Sequence, residues 1–144
     1  MIKISTKGRY GTRLMLNLAH HYKRKNEAVI LKKISKEEEI SVRYLEQIVI
    51  PLKISKLIKS IRGAGGGYIL SRHPSKIKLS EIIDALEGPT CLVDCVDDSD
   101  FCNRISICAT YEIWKKASFM LRDYFKKTTL QNLIEISKKK NPEA

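Results

Sequence analysis

Cys91, Cys95, Cys102 and Cys108 fall within eighteen residues, and the rest of the 144-residue chain holds no other cysteine. Thiols gathered this closely can bind a soft metal ion, ligate an iron–sulfur cluster, or pair with one another on oxidation. Three, six and five residues separate them in turn. Structural zinc fits this spacing poorly, because zinc ligands come as two separated pairs with two to four residues between partners, and only the first interval obeys that. Iron–sulfur clusters are less strict, since a loop wraps around a larger inorganic core and thiolates are the usual ligands. Asp94, Asp97, Asp98 and Asp100 lie in the same segment against a single Arg104. Placed beside thiolates they add unfavourable charge, so they are expected to face water.

The chain as a whole is nonetheless basic: 27 Lys and Arg against 16 Asp and Glu give a formal charge of +11, concentrated before residue 90. Such a surface suits a polyanion, because neutralised phosphates release condensed counterions. No apolar run is long enough to span a bilayer. The opening MIKISTKGRYGTRLMLNLA breaks its apolar residues with Lys, Arg and Gly, unlike a secretory signal. A cytoplasmic protein with no membrane partner is expected, and there thiols stay reduced, so metal binding or redox sensing is favoured over structural disulfides. No Ser/His/Asp arrangement or paired-carboxylate signature stands out, which argues against an enzyme and against a small-molecule substrate. GAGGG lacks the Lys-Ser/Thr of a phosphate-binding loop. His20, His21 and His73 read as packing or surface residues.

The elements that position the loop follow from periodicity. Tyr10, Leu14, Leu18 and Tyr22 recur at four-residue steps with Met15 and Ala19 alongside, one apolar helical face capped by Ser5 or Thr6. A brief helix follows around Leu31 and Ile34. After a break at Glu39-Ile40-Ser41, Ser41 reads as the N-cap of a helix whose inner face is Val42, Leu45, Ile48, Val49 and Leu52 and whose other side carries Arg43, Glu46, Gln47 and Lys53. Pro51 predicts a kink or an early end. Two short helices joined by a tight turn predict helix-turn-helix. Ile58 to Ile61 and Tyr68 to Leu70 around RGAGGG predict a two-stranded wing flanked by Arg62 and Arg72, with glycines allowing positive φ and close backbone approach. A helix with Ser80 as cap and Ile82, Ile83 and Leu86 inside stops at Gly88-Pro89. Residues 109–127 carry the longest helical pattern, with Ile113, Trp114, Ala117, Met120, Leu121, Tyr124 and Phe125 on a broad stripe that calls for a second chain as partner. Thr129 caps a last helix, LQNLIEIS, before a frayed KKKNPEA tail.

The fold class expected is therefore mainly α with a small β-hairpin wing: a winged helix-turn-helix plus a long C-terminal dimerisation helix. Its parts are a DNA-binding domain at residues 1–89, a cysteine-rich loop at 90–108, and a dimerisation helix with tail at 109–144. In the recognition helix opened by Ser41 and Tyr44, Arg43 and Gln47 are the expected base readers, since Arg suits guanine and Gln adenine, while Glu46 accepts from cytosine. Lys7, Tyr10 and the wing, through Arg62, Gly65 and Gly66, are expected at phosphates or the minor groove.

KISTKGRYGTRLMLNLA, EEISVRYLEQIVIPLK, IRGAGGGYIL and CATYEIW together resemble the IscR-like family of bacterial winged-helix transcription regulators, from Lys3 to about Leu133. The YLEQ stretch (Tyr44 to Gln47), the RGxGGGY wing (Arg62 to Tyr68), and Cys108 followed by Trp114 carry the likeness. The resemblance implies a homodimer on a palindromic double-stranded DNA operator. It also implies an iron–sulfur cluster on Cys95, Cys102 and Cys108, with two-iron two-sulfur preferred to four-iron four-sulfur. Two departures stand out. The family's His three residues after the last cysteine is Tyr111 here, and the acid some members supply from the first helix is missing from Lys7-Gly8-Arg9-Tyr10. Cys91 is then the expected fourth ligand, the alternatives being that it is a small buried residue beside Leu92 and Val93, or that a loop Asp or a His such as His21 from the partner chain completes the site. The alternatives to a cluster are structural zinc and a metal-free thiol switch.

Overall fold

Leu14, Met15, Leu18 and Ala19 are all buried, which makes the first helix, α1 (Thr6–Tyr22), the element around which the others gather. In the computed structural model, which describes residues 2–22 and 26–143, α1 touches α2 (Leu31–Glu38), α3 (Val42–Ile54), β2 (Gly67–Leu70), α4 (Leu79–Glu87) and α7 (Leu130–Lys140). Strand β1 (Ile58–Ile61) pairs antiparallel with β2, Ile58 opposite Leu70 and Ile61 opposite Gly67. The short α5 (Asp94–Asp97) and the long α6 (Ala109–Lys127) complete the chain, with single 3₁₀ turns at Pro74–Lys76 and Ile105–Ile107. The expected class is found: helices with one two-stranded hairpin.

Local chemistry explains the boundaries. Ser5, not Thr6, caps α1: its Oγ accepts from the Gly8 N–H at 3.1 Å. Helix α2 ends at Glu39 in the left-handed region, φ 55°, and Ser41 Oγ then accepts from the Tyr44 N–H at 3.2 Å to open α3, as expected. Pro51 neither stops nor shortens α3, which runs on to Ile54. Proline withholds only its own N–H, and three residues from a helix end that costs one internal bond. Val42 is not part of the inner face; it lies 37% exposed in the first turn, while Leu45, Ile48, Val49 and Leu52 are buried. Ser80 is not the cap of α4. Leu79 begins the helix, and the Lys78 N–H donates to Glu81 Oε2 at 2.9 Å, the reciprocal half of a capping box.

Two placements were not foreseeable from periodicity. Val29 forms an isolated bridge with Tyr68, exchanging two 2.9 Å backbone hydrogen bonds, so a third stretch of chain lies along the wing. The residues expected as one segment from 109 to 144 also part company. Helix α6 buries only Ser118, whereas α7 turns back onto α1 and places Leu130 and Ile134 in the same core as Leu14 and Leu18. Each such side chain contributes roughly 1.5–3 kcal/mol by leaving water. Helix α7 takes in Lys138, Lys139 and Lys140, which the sequence assigned to a frayed tail; their charges sit favourably at a helix C-terminus.

Candidate nucleic-acid interface and cysteine loop

Helix α3 presents Arg43, Glu46 and Gln47 to solvent, one turn apart and on the side opposite Leu45, Ile48 and Val49. Packing against α1 and α2 fixes that inner face, so the three polar residues project as one row. Ile50 and Ile54 continue the row toward the C-terminus at 57% and 76% exposed. Neither was expected there; an apolar side chain at that place is suited to a thymine methyl. Ser41 and Tyr44 are taken up locally, Ser41 in the cap and Tyr44 against Tyr10, whose ring centroid is 5.6 Å away at 82°. The guanidinium groups of Arg9 and Arg13 lie 5.7 and 5.6 Å from the Tyr10 ring. Lys7 is half-buried one turn before it.

The wing tip turns through Gly63 and Gly65, at φ 88° and 73°, where no atom would meet an added Cβ. Gly66 donates its N–H to Gly63 O at 2.9 Å and closes the turn. Gly67 has a different reason to be glycine: a Cβ there would stand 2.5 Å from the backbone of Val29. Arg62 is exposed at the tip. Arg72, expected to flank the turn, is drawn away into contacts with Glu81 at 2.8 Å and the Lys76 carbonyl at 3.2 Å.

All four cysteines are free thiols and all are partly exposed. The loop is more structured than its sequence indicates, with α5 holding Cys95 and a 3₁₀ turn leading into Cys108. Cys91 Sγ donates to the Val93 carbonyl at 3.0 Å. Cys91 and Cys95 line one surface cleft, together with Asp94, Asp97 and Phe101. Cys108 is the N-cap of α6 and lies 3.2 Å from Thr110 Oγ1. The Thr110 hydroxyl, followed by the Tyr111 N–H, holds its thiol below the ordinary cysteine range. The helix start thus eases loss of the thiol proton, a step that metal binding requires. Among the described residues, no three His, Cys, Asp or Glu side chains are gathered as a metal site.

The first part of the loop, residues 90–97, is tied to α6. The Leu92 N–H donates to the buried Ser118 Oγ at 3.1 Å, and Arg122 donates from Nε to the Thr90 carbonyl and stands 3.3 Å from Asp97. All four acids, Asp94, Asp97, Asp98 and Asp100, are exposed as expected, Asp97 pairing with Arg122 at the surface. Helix α6 rests in turn on α4. No helix among the described residues is long and apolar enough to cross a membrane.

Comparison with known proteins agrees with this architecture. Residues 4–136 match the family described as Rrf2, iron-dependent transcriptional regulator. The transcriptional regulator CymR of Bacillus subtilis strain 168 is 39% identical over 132 residues, covering 92% of this chain and 89% of that protein. Its solved structure, described as that of the global cysteine regulator of B. subtilis, superposes with a TM-score of 0.79 over 94% of this chain and 98% of that one. The structure of T. potens IscR gives the same TM-score at 33% identity, covering 97% and 91%. These relatives are regulators rather than enzymes, as the lack of a catalytic arrangement in the sequence led one to expect. The chain belongs to the Rrf2 family of winged-helix transcriptional regulators.

Proposed function

We propose that this chain works in the cytoplasm as a homodimer that binds a palindromic DNA operator, its affinity set by an iron–sulfur cluster in the cysteine loop. One observation carries the reading: the thiol-bearing loop is fixed to α6, which packs on α4, which packs on α1 of the winged helix. Any change in the loop therefore acts on the helix that would set the separation of two recognition helices.

The donor chemistry fits a cluster: four free thiols within eighteen residues, with the Cys108 pKa lowered by the Thr110 hydroxyl. Cys95, Cys102 and Cys108 would hold it, with Cys91 as fourth ligand, and a two-iron two-sulfur form is preferred. Bound there, it would supply a one-electron redox centre whose loss or oxidation frees the loop. Because the thiols are not grouped in the chain alone, assembly must order the loop, and binding energy is coupled to folding of that segment. Arg122 would keep only the stretch from Thr90 to Asp97 on α6 when the rest of the loop is freed.

On DNA, Arg43 and Gln47 read base edges in the major groove and Glu46 discriminates against mismatched pairs, while Lys7, Tyr10, Arg62 and the backbone at Gly65 and Gly66 contact phosphate or the minor groove. Residues 1–89 supply this face, 90–108 the sensor, and α6 the dimer contact. Ile113, Trp114, Phe119, Met120 and Tyr124 are 43–67% exposed along α6, an apolar surface a second copy would cover.

A second reading keeps the DNA-binding half but makes the loop a metal-free thiol switch or a zinc site. The placement of the thiols, no three of which are gathered among the described residues, favours its metal-free form. An anaerobically purified protein decides between the two. A brown solution with visible absorption, iron and acid-labile sulfide supports the cluster; a colourless, iron-free protein that retains operator binding and thiol-dependent regulation establishes the second reading.

A further inference from the structure

The outer ridge of α3 is apolar along its second half, where a helix that met only water would be polar. Ile50 and Ile54 lie seven and eleven residues after Arg43. At about 3.6 residues per turn those offsets are close to two and three whole turns, so the three side chains stand in one line along the helix. Leu45, Ile48, Val49 and Leu52 are buried on the opposite face, which puts that line at the greatest distance from the core. Glu46 and Gln47, both exposed, flank it on either side. With Ile50 57% and Ile54 76% exposed, the fold gains little from either. A single exposed isoleucine needs no explanation, but two in register with an expected base reader form a continuous strip.

The charge around the strip says what covers it. Glu46 is the one acid of α3, and from Gln47 to Ser80 the sequence contains no Asp or Glu at all. Lys53, Lys56, Lys59 and Arg62, in the same stretch, are all exposed. An apolar strip bordered by cations is complementary to a polyanion that shows apolar groups between its phosphates. In the major groove of DNA the group of that kind is the C5 methyl of thymine. We propose that Ile50 and Ile54 read thymine methyls, so that the operator half-site carries thymines beyond the base pairs met by Arg43 and Gln47. The assignment rests on the DNA-binding function proposed above and adds a second class of base reader to it. Isoleucine has neither donor nor acceptor, so its selectivity has two sources. It buries the methyl of thymine, and it leaves the exocyclic amino group of a competing cytosine without a hydrogen-bond partner.

Removal of single methyl groups from the DNA tests this. Duplexes are selected from a random library with the full-length, anaerobically purified protein. Each thymine of the selected half-site is then replaced in turn by deoxyuridine, which keeps every base-pairing hydrogen bond and lacks only the methyl. Affinity should fall about fourfold at each of two thymines, the effect of withdrawing one buried methylene-sized group. Ile50→Ala should abolish the loss at one of these thymines and Ile54→Ala at the other, because the methyl then has no side chain to bury it. Both positions are exposed, and both variants should bind a duplex of unrelated sequence as the parent does, which shows that the fold and the phosphate contacts are intact. Deoxyuridine tolerated at every position, or the same penalties in both alanine variants, would overturn the proposal and leave sequence-specific DNA binding in place. A selection that enriches no sequence would overturn it together with the DNA-reading function on which it rests.

Discussion

The rings of Tyr10, on the second turn of α1, and Tyr44, on the first turn of α3, meet edge to face, with centroids 5.6 Å apart and planes at 82°. This contact joins the start of α1 to the start of α3. It also fixes the Arg9 and Arg13 side chains around the same ring. An edge-to-face pair of this kind contributes about 0.5–1.5 kcal/mol beyond burial of its area. A double-mutant cycle of Tyr10→Leu and Tyr44→Leu, read by urea denaturation, should give a coupling of about 1 kcal/mol. Strict additivity would mean that the rings merely adjoin.

Gln47 and Lys7 separate base reading from phosphate contact. Gln47→Ala should lose about 1–3 kcal/mol at one base pair and relax preference there, whereas Lys7→Ala should weaken all sequences alike and reduce the salt slope by about one unit. Binding measured on the operator and on random DNA over a salt series distinguishes them. Equal losses on both DNAs for Gln47→Ala would remove that residue from the groove.

For the cysteine loop, Cys95→Ala, Cys102→Ala and Cys108→Ala should each abolish visible absorbance while leaving the winged helix folded, because no cysteine belongs to the core. Cys91→Ser and Cys91→Ala test the fourth position. Both, reconstituted anaerobically, should show altered spectra and a shifted potential; spectra and potentials identical to the parent would assign Cys91 only to its hydrogen bond with Val93.

The exposed face of α6 gives an assembly prediction. Ala117 is only partly exposed amid Ile113, Trp114 and Met120, so Ala117→Glu places an unpaired charge in the centre of the proposed contact. Sedimentation should show monomers that bind half-sites poorly. A dimer as stable as the parent's would move the interface elsewhere.

Arg72 and Glu81 make a pH prediction. Burial raises the Glu81 pKa, but the Lys78 N–H and Arg72 more than offset it, so the folded value lies below the unfolded one. Stability from this carboxylate is present above its unfolded pKa and lost as pH falls through the folded one. Glu81→Gln should be less stable than the parent near neutrality and converge with it in acid, as read by thermal unfolding across that range. Parallel curves would show that the pair contributes nothing net.

Much of this protein was legible in one dimension. The apolar spacing of Leu14, Leu18, Leu45, Ile48, Ile82 and Leu86 determines helices and their inner faces, because burial acts through a fixed period. Ser41 as a cap and the glycines around Gly65 determine where a helix starts and a hairpin turns, because those demands are local. The basic charge and the four clustered thiols determine the chemistry on offer. Only tertiary structure decided that α7 leaves α6 to bury Leu130 and Ile134 beside α1, that Val29 bridges Tyr68 and so forbids a side chain at Gly67, and that Arg72 turns to Glu81 instead of the wing. The surroundings of the buried Asn17 belong to the same class. Asn17 occupies an interior position of an amphipathic helix, and its sequence neighbours do not say that Glu37 and Glu38 will take its hydrogens from across the fold. Periodicity fixes which face of a helix is covered; the identity of what covers it is a long-range matter, settled only when distant segments compete for the same surface.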